Sequence, residues 1–171
     1  MSGLGDVLLN SAAPTDRKRM TLAHELGHLV LHSQEVTPGL EREAGEFAAE
    51  FLMPIEVIRP QLRNLKLGRL HDLKREWGVS MQALIERAYD ARLMTAAERA
   101  NLYRALSGRG WRTHEPVSDE LLPERAELAQ HVGQALSAKG LTSDDIAHLA
   151  GFASDEDNQL FRPGIRQLRS V

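Results

Sequence analysis

The segment TLAHELGHLVLHS, Thr21 to Ser33, limits this chain more than any other stretch. It places His24, His28 and His32 four residues apart, with Glu25 beside the first. At one hundred degrees per residue, Leu22, Ala23, Leu26, Leu29 and Val30 share one apolar arc of a helix. Thr21, His24, Glu25, His28 and His32 fall on the opposite arc. That polar arc holds no Lys or Arg between residues 21 and 32. A solvated helix face usually carries such residues, so this one is expected to point into a cleft.

His24 and His28 stand at i and i+4, from which two imidazoles on adjacent turns can approach one ion. Glu25 follows the first histidine, in the position of the general base of an H-E-x-x-H site. His32 lies eight residues beyond His24, about 12 Å along a helix axis, too far to share a tetrahedral ion with it. It is read as a cleft residue or a partner of a ligand. The third ligand must then come from another element. The chain has no cysteine, which excludes a disulfide scaffold, a thiolate metal site and a cysteine nucleophile. After the break at Pro38-Gly39 comes LEREAGEFAAEFLMP, a second helix from about Leu40 to Met53. It offers Glu41, Glu43, Glu46 and Glu50, and spacing alone does not choose among them. Zinc suits a set of His nitrogens and a carboxylate oxygen.

The remaining chain reads as almost all helix. Asp6 to Asn10 is the one weak candidate strand, and Thr15 or Asp16 is expected to cap the first helix. Leu62 to Trp77 and Met81 to Leu93 flank Gly78, and Thr95 caps a helix to about Leu106. Residues 1–60 form a metal-binding core, 61–107 a helical, helix-turn-helix-like segment, and 108–123 a linker or extended segment rich in Gly, Pro and charge. Residues 124–171 form a C-terminal helical segment with a basic tail. The second helix of the helix-turn-helix-like part, which would read DNA, carries Gln82, Glu86, Arg87, Asp90 and Arg92. Mixed charge suits a phosphate-facing surface poorly, so a packing role is favoured over direct DNA binding. The acidic stretch from Leu141 to Phe161 is read as packing or protein-binding. A formal net charge of -3 over 171 residues argues against broad electrostatic binding to nucleic acid. No apolar run nears the ~20 residues that span a bilayer, and no signal peptide is seen. A cytoplasmic protein is expected, with no membrane partner and with its oligomeric state unspecified.

TLAHELGHLVLH, then EREAGEFAAEFLMP, WGVSMQALIERA and SGRGWRTHEP, resemble the ImmA/IrrE family of zinc metallopeptidases over roughly residues 5 to 116. The resemblance implies a mainly α (α+β) fold with a zincin-like metallopeptidase core, one Zn2+ ion, and an intracellular bacterial or phage-borne peptidase. Its substrates would be helix-turn-helix repressors, cleaved to derepress stress or mobile-element genes. The family's metal glutamate maps onto Glu41, with Glu43 as the alternative. The pattern departs at Gly45, where Asn is usual. Family members carry more chain ahead of the metal helix than the VLLN found here. The β-sheet, whose edge strand pairs with an extended substrate in zincin-like folds, is therefore expected to be minimal. His32, His71 and Tyr89 are the candidate oxyanion donors. The competing reading is a regulatory protein on the same scaffold that binds a repressor or DNA without proteolysis.

Overall fold

The computed structural model describes residues 10, 12–32, 39–124, 128–158 and 160–162. Among them the chain is helical and contains no strand, so the fold is mainly α. The candidate strand from Asp6 lies outside the described residues, except for Asn10, which belongs to no regular element. Two compact units divide the chain, residues 1–123 and 124–171.

The first unit begins with α1, Thr15–Leu31, and α2, Leu40–Leu52. The α1 N-cap is Pro14, which makes no side-chain cap bond, so the capping expected of Thr15 or Asp16 is corrected. Both are drawn elsewhere. The Thr15 hydroxyl donates to the Leu121 carbonyl, and Asp16 is buried in an ion pair with Lys74. The helix stops at Leu31 and His32 is its C-cap, its N–H donating to the His28 carbonyl.

α1 and α2 meet along short side chains. Ala23 and Gly27 are buried on one helix, Ala44 and Ala48 on the other. Gly27 is needed here: a Cβ at this position would lie 3.1 Å from the Ala44 Cα and 3.1 Å from the Phe47 ring. The seam runs along the border between the two arcs of α1. Leu22, Leu26, Leu29 and Val30, expected as the core stripe, are instead exposed.

Three further helices build the main core: α3, Ile55–Leu62; α4, Leu67–Trp77; and α5, Met81–Asp90. Ile58, Leu62, Leu70, Leu73, Leu84 and Ile85 are completely buried there. Burying a side chain of this size stabilises by about 1.5–3 kcal/mol relative to exposure. Gly78 turns the chain between α4 and α5 at φ +65°, with the Arg19 guanidinium seated on it, so a side chain fits neither the backbone nor the space. α6, Ala96–Ser107, starts with the expected Thr95 cap, completed by Glu98 as a capping box.

Segment 108–123 packs into this unit. It contains a 3-10 turn, Ser118–Glu120, and buries Glu115 and Ser118. Lys74 is fully buried and donates to Asp16 at 2.7 Å, Glu115 at 2.7 Å and Ser118 at 2.8 Å. All three ammonium protons are thereby used. Glu115 also accepts from the Met81 N–H at 2.7 Å and the Gln82 N–H at 3.3 Å, capping α5. Val117, a β-branched residue, sits at φ +71° between Glu115 and Ser118, two of the three acceptors of the lysine. Such a conformation costs of order 1–3 kcal/mol and persists where its surroundings over-determine it.

In the second unit, α7, Leu128–Ala138, and α8, Ser143–Leu149, pack together. Thr142 and Asp145 form the α8 capping box, so one of the acids in this stretch serves the helix start. Ile146 and Ala147 are buried, and Gly133 admits the Phe161 carbonyl.

Candidate metal centre

α1 and α2 bring three of the expected residues to one point. His28 Nε2 is 3.1 Å from His24 Nε2, which is 3.1 Å from Glu41 Oε2. Glu41 Oε1 closes the group at 3.3 Å from His28 Nε2. The two rings meet edge to face, with centroids 4.7 Å apart. Each histidine side chain is about a quarter exposed, and Glu41 is largely in solvent at 84%. The group thus opens outward on the Glu41 side.

Hydrogen bonds alone do not account for this triangle. A neutral imidazole nitrogen either carries a proton or accepts one. With Glu41 ionised, every placement of the two protons leaves two donors or two acceptors facing each other along one side. A cation resolves the conflict by engaging all three lone pairs. The dimensions agree: zinc bonds of 2.0–2.1 Å in a tetrahedron set neighbouring ligand atoms about 3.3–3.4 Å apart. The donors present, two imidazoles and one carboxylate, are those of a catalytic zinc site with a position left over.

The four candidate glutamates separate cleanly. Glu41 joins the two histidines. Glu43 Oε2 lies 3.1 Å from His32 Nε2. Glu46 accepts from Arg42 at 2.6 Å. Glu50 pairs with Arg87 and accepts the Ile55 N–H at 3.2 Å. The Arg87 hydrogen bond holds the Glu50 carboxyl below the ordinary carboxylate range. Glu25 is half-buried on α1 beside His24, and among the described residues nothing bonds its carboxylate. Gly45, where an amide was expected, has open space at its Cβ position.

Of the candidate oxyanion donors, His32 bonds a residue of the group, at 3.2 Å between its Nδ1 and that of His28. His71 lies against the Trp111 ring, and Tyr89 lies under the Arg99 guanidinium. The polar residues of α5 are also engaged internally. Gln82 donates to the Arg112 carbonyl, Glu86 binds Arg99 and Tyr103, and Arg87 reaches Glu50 and the Met53 carbonyl. Burial, then the bond to Glu86, pushes the Tyr103 hydroxyl pKa upward. Sequence reasoning missed the Lys74 cluster and the pairing of His32 with Glu43. The second had a partial signal: His32 follows His28 by one helical turn, and Glu41 and Glu43 both fall in the first turn of α2.

A two-helix centre with an H-E-x-x-H helix and a carboxylate from the next one defines a metallopeptidase-like protein. Residues 4–89 match the model of the Peptidase M78 family, described as the IrrE N-terminal-like domain, and the chain belongs to that family. No curated protein and no solved structure matches it. Among the described residues no helix is long and apolar enough to cross a membrane.

Proposed function

We propose that the chain is a zinc-dependent endopeptidase in which His24, His28 and Glu41 hold one Zn2+ and Glu25 is the general base. The observation that carries this is the convergence of three donors that hydrogen bonds cannot satisfy, beside the Glu25 carboxylate, which nothing bonds among the described residues. Zinc, when bound, supplies a Lewis acid that polarises a carbonyl and lowers the pKa of water. Glu25 takes the proton of the attacking water and returns it to the leaving amine. His24 and His28 present their Nε2 atoms from adjacent turns of α1, and Glu41 reaches across from α2.

Membership of the family supports a peptide substrate. A helix-turn-helix repressor, cleaved in the cytoplasm to release stress or mobile-element genes, is the substrate proposed here. The internal bonding of Gln82, Glu86 and Arg87 favours α4 and α5 as a brace rather than a DNA reader. The alternative, a non-proteolytic regulator on the same scaffold, parts from the peptidase at one residue. Glu25→Gln keeps every metal donor and removes the base. Hydrolysis of a repressor encoded beside this chain should fall about 10²–10⁴-fold, with stoichiometric zinc retained. Hydrolysis and biological output both surviving in that variant would overturn the peptidase reading.

A further inference from the structure

His28 is held from both ends of its ring. Nε2 faces the metal group, while Nδ1 lies 3.2 Å from His32 Nδ1. The other nitrogen of His32, Nε2, lies 3.1 Å from Glu43 Oε2. The His32 side chain is 8% exposed, and Glu43 caps this row at its outer end, 43% exposed. Three groups from two helices therefore form one line running away from the metal group.

With both rings neutral, two proton arrangements place a hydrogen bond between the two Nδ1 atoms. In the first, His28 Nδ1–H donates to a bare His32 Nδ1. His32 then carries its proton on Nε2 and donates it to Glu43, and His28 Nε2 is a bare lone pair. In the second, His32 Nδ1–H donates to His28. His28 Nε2 then carries the proton and cannot bind a metal, and a bare His32 Nε2 faces the Glu43 carboxylate, two acceptors at 3.1 Å. The carboxylate stabilises the first and penalises the second.

We propose that Glu43, acting through His32, holds His28 in the tautomer whose Nε2 is free to bind the metal, so that His32 and Glu43 are positioning residues rather than ligands. This rests on the zinc reading above. It also gives distinct roles to two glutamates two residues apart: Glu41 supplies an oxygen, and Glu43 selects a tautomer.

Glu43→Gln is the deciding variant, because an amide can offer its oxygen to one tautomer or its NH2 to the other and so selects neither. His32→Phe cuts the line while keeping a buried ring. Two readouts apply to the full chain. The first is zinc affinity, by competition with a chromophoric chelator. The second is the long-range 1H–15N spectrum of the histidines in the metal-free protein at one fixed pH. In the wild type, His28 should carry its proton on Nδ1 and His32 on Nε2. Glu43→Gln should mix the His28 tautomers and weaken zinc by about 10–100-fold, and His32→Phe should weaken it similarly. Since Glu43 is part-exposed, its variant keeps the test available if His32→Phe does not fold. A wild-type His28 protonated on Nε2, or Glu43→Gln binding zinc as tightly as wild type, overturns the tautomer proposal and leaves the peptidase reading standing. A wild type that binds no zinc overturns both.

Discussion

The first unit holds two charged clusters that share α1, and they differ in where the cation comes from. At the N-terminal end, Asp16 and Glu115 converge on Lys74, whose ammonium is fully buried and uses all its protons. Further along α1, His24, His28 and Glu41 converge on one point without a cationic side chain among them. One cluster supplies its own cation; the other gathers two imidazoles and a carboxylate. The first is buried and the second is part-exposed, which fits the role proposed for it. Buried ion pairs bind structure together, whereas convergent unsatisfied donors at a surface mark chemistry.

The sharpest break in this comparison is Lys74→Met. It strands two buried carboxylates, so a loss of about 3–5 kcal/mol is expected by denaturant unfolding. A loss under 1 kcal/mol would show that the cluster is hydrated or relaxed in solution. His24→Ala should behave in the opposite way. It should leave the metal-free protein nearly as stable as wild type, while removing the stabilisation that zinc confers. For wild type that stabilisation reaches about 4 kcal/mol when zinc is a thousandfold above its dissociation constant. A thermal melt with and without zinc reads both numbers.

Next in size is Gly27→Ala. The new Cβ lies 3.1 Å from both Ala44 and Phe47, so α1 and α2 must move apart. The expected cost is about 1–3 kcal/mol, with weaker zinc binding although no donor is touched. Gly45→Ala is the smaller, opposite case. Its Cβ meets nothing within 4 Å, so removing a helical glycine should stabilise by about 0.5–1 kcal/mol. The smallest effect belongs to Glu50. Its folded-state carboxyl is held below the ordinary value, chiefly by the Arg87 hydrogen bond, so its contribution is present at neutral pH. That contribution fades as pH falls through the lowered folded value, and Arg87→Met should flatten this acidic limb of a stability-against-pH curve.

The residues of the metal group were legible in the sequence because helical rise is a strong filter. It set His24 and His28 over one point and His32 apart; the structure brings the Nε2 atoms of His24 and His28 within 3.1 Å, while His32 meets His28 from its Nδ1 side. Spacing alone did not choose among the four glutamates of α2, which differ in what lies across from them; the family pattern pointed to Glu41, the one grouped with the two histidines. Arg42 and Arg87 take two of these; Arg42–Glu46 is an i,i+4 pair visible along α2, whereas Arg87–Glu50 joins two helices and has no sequence signature. The helices α2, α5 and α6 followed from their apolar periods and from Thr95. The packing of α1 did not. Apolar periodicity pointed to the leucines, but contact with α2 runs along Ala23 and Gly27, where small size rather than hydrophobicity permits close approach. The Lys74 cluster was invisible for a related reason: Asp16 and Glu115 are 99 positions apart, and each reads locally as an ordinary polar residue.

The seam of Gly27 and Ala44 acts as a caliper. The distance between the histidine pair and Glu41 is fixed by how closely two backbones approach, so it is set at residues that offer a metal no atom of their own. In the centre proposed above, the spacing of the donors is thus adjustable from residues that are not donors. A one-carbon change at the seam would pass unnoticed in any survey of the donor residues, yet it would reset the gap between them.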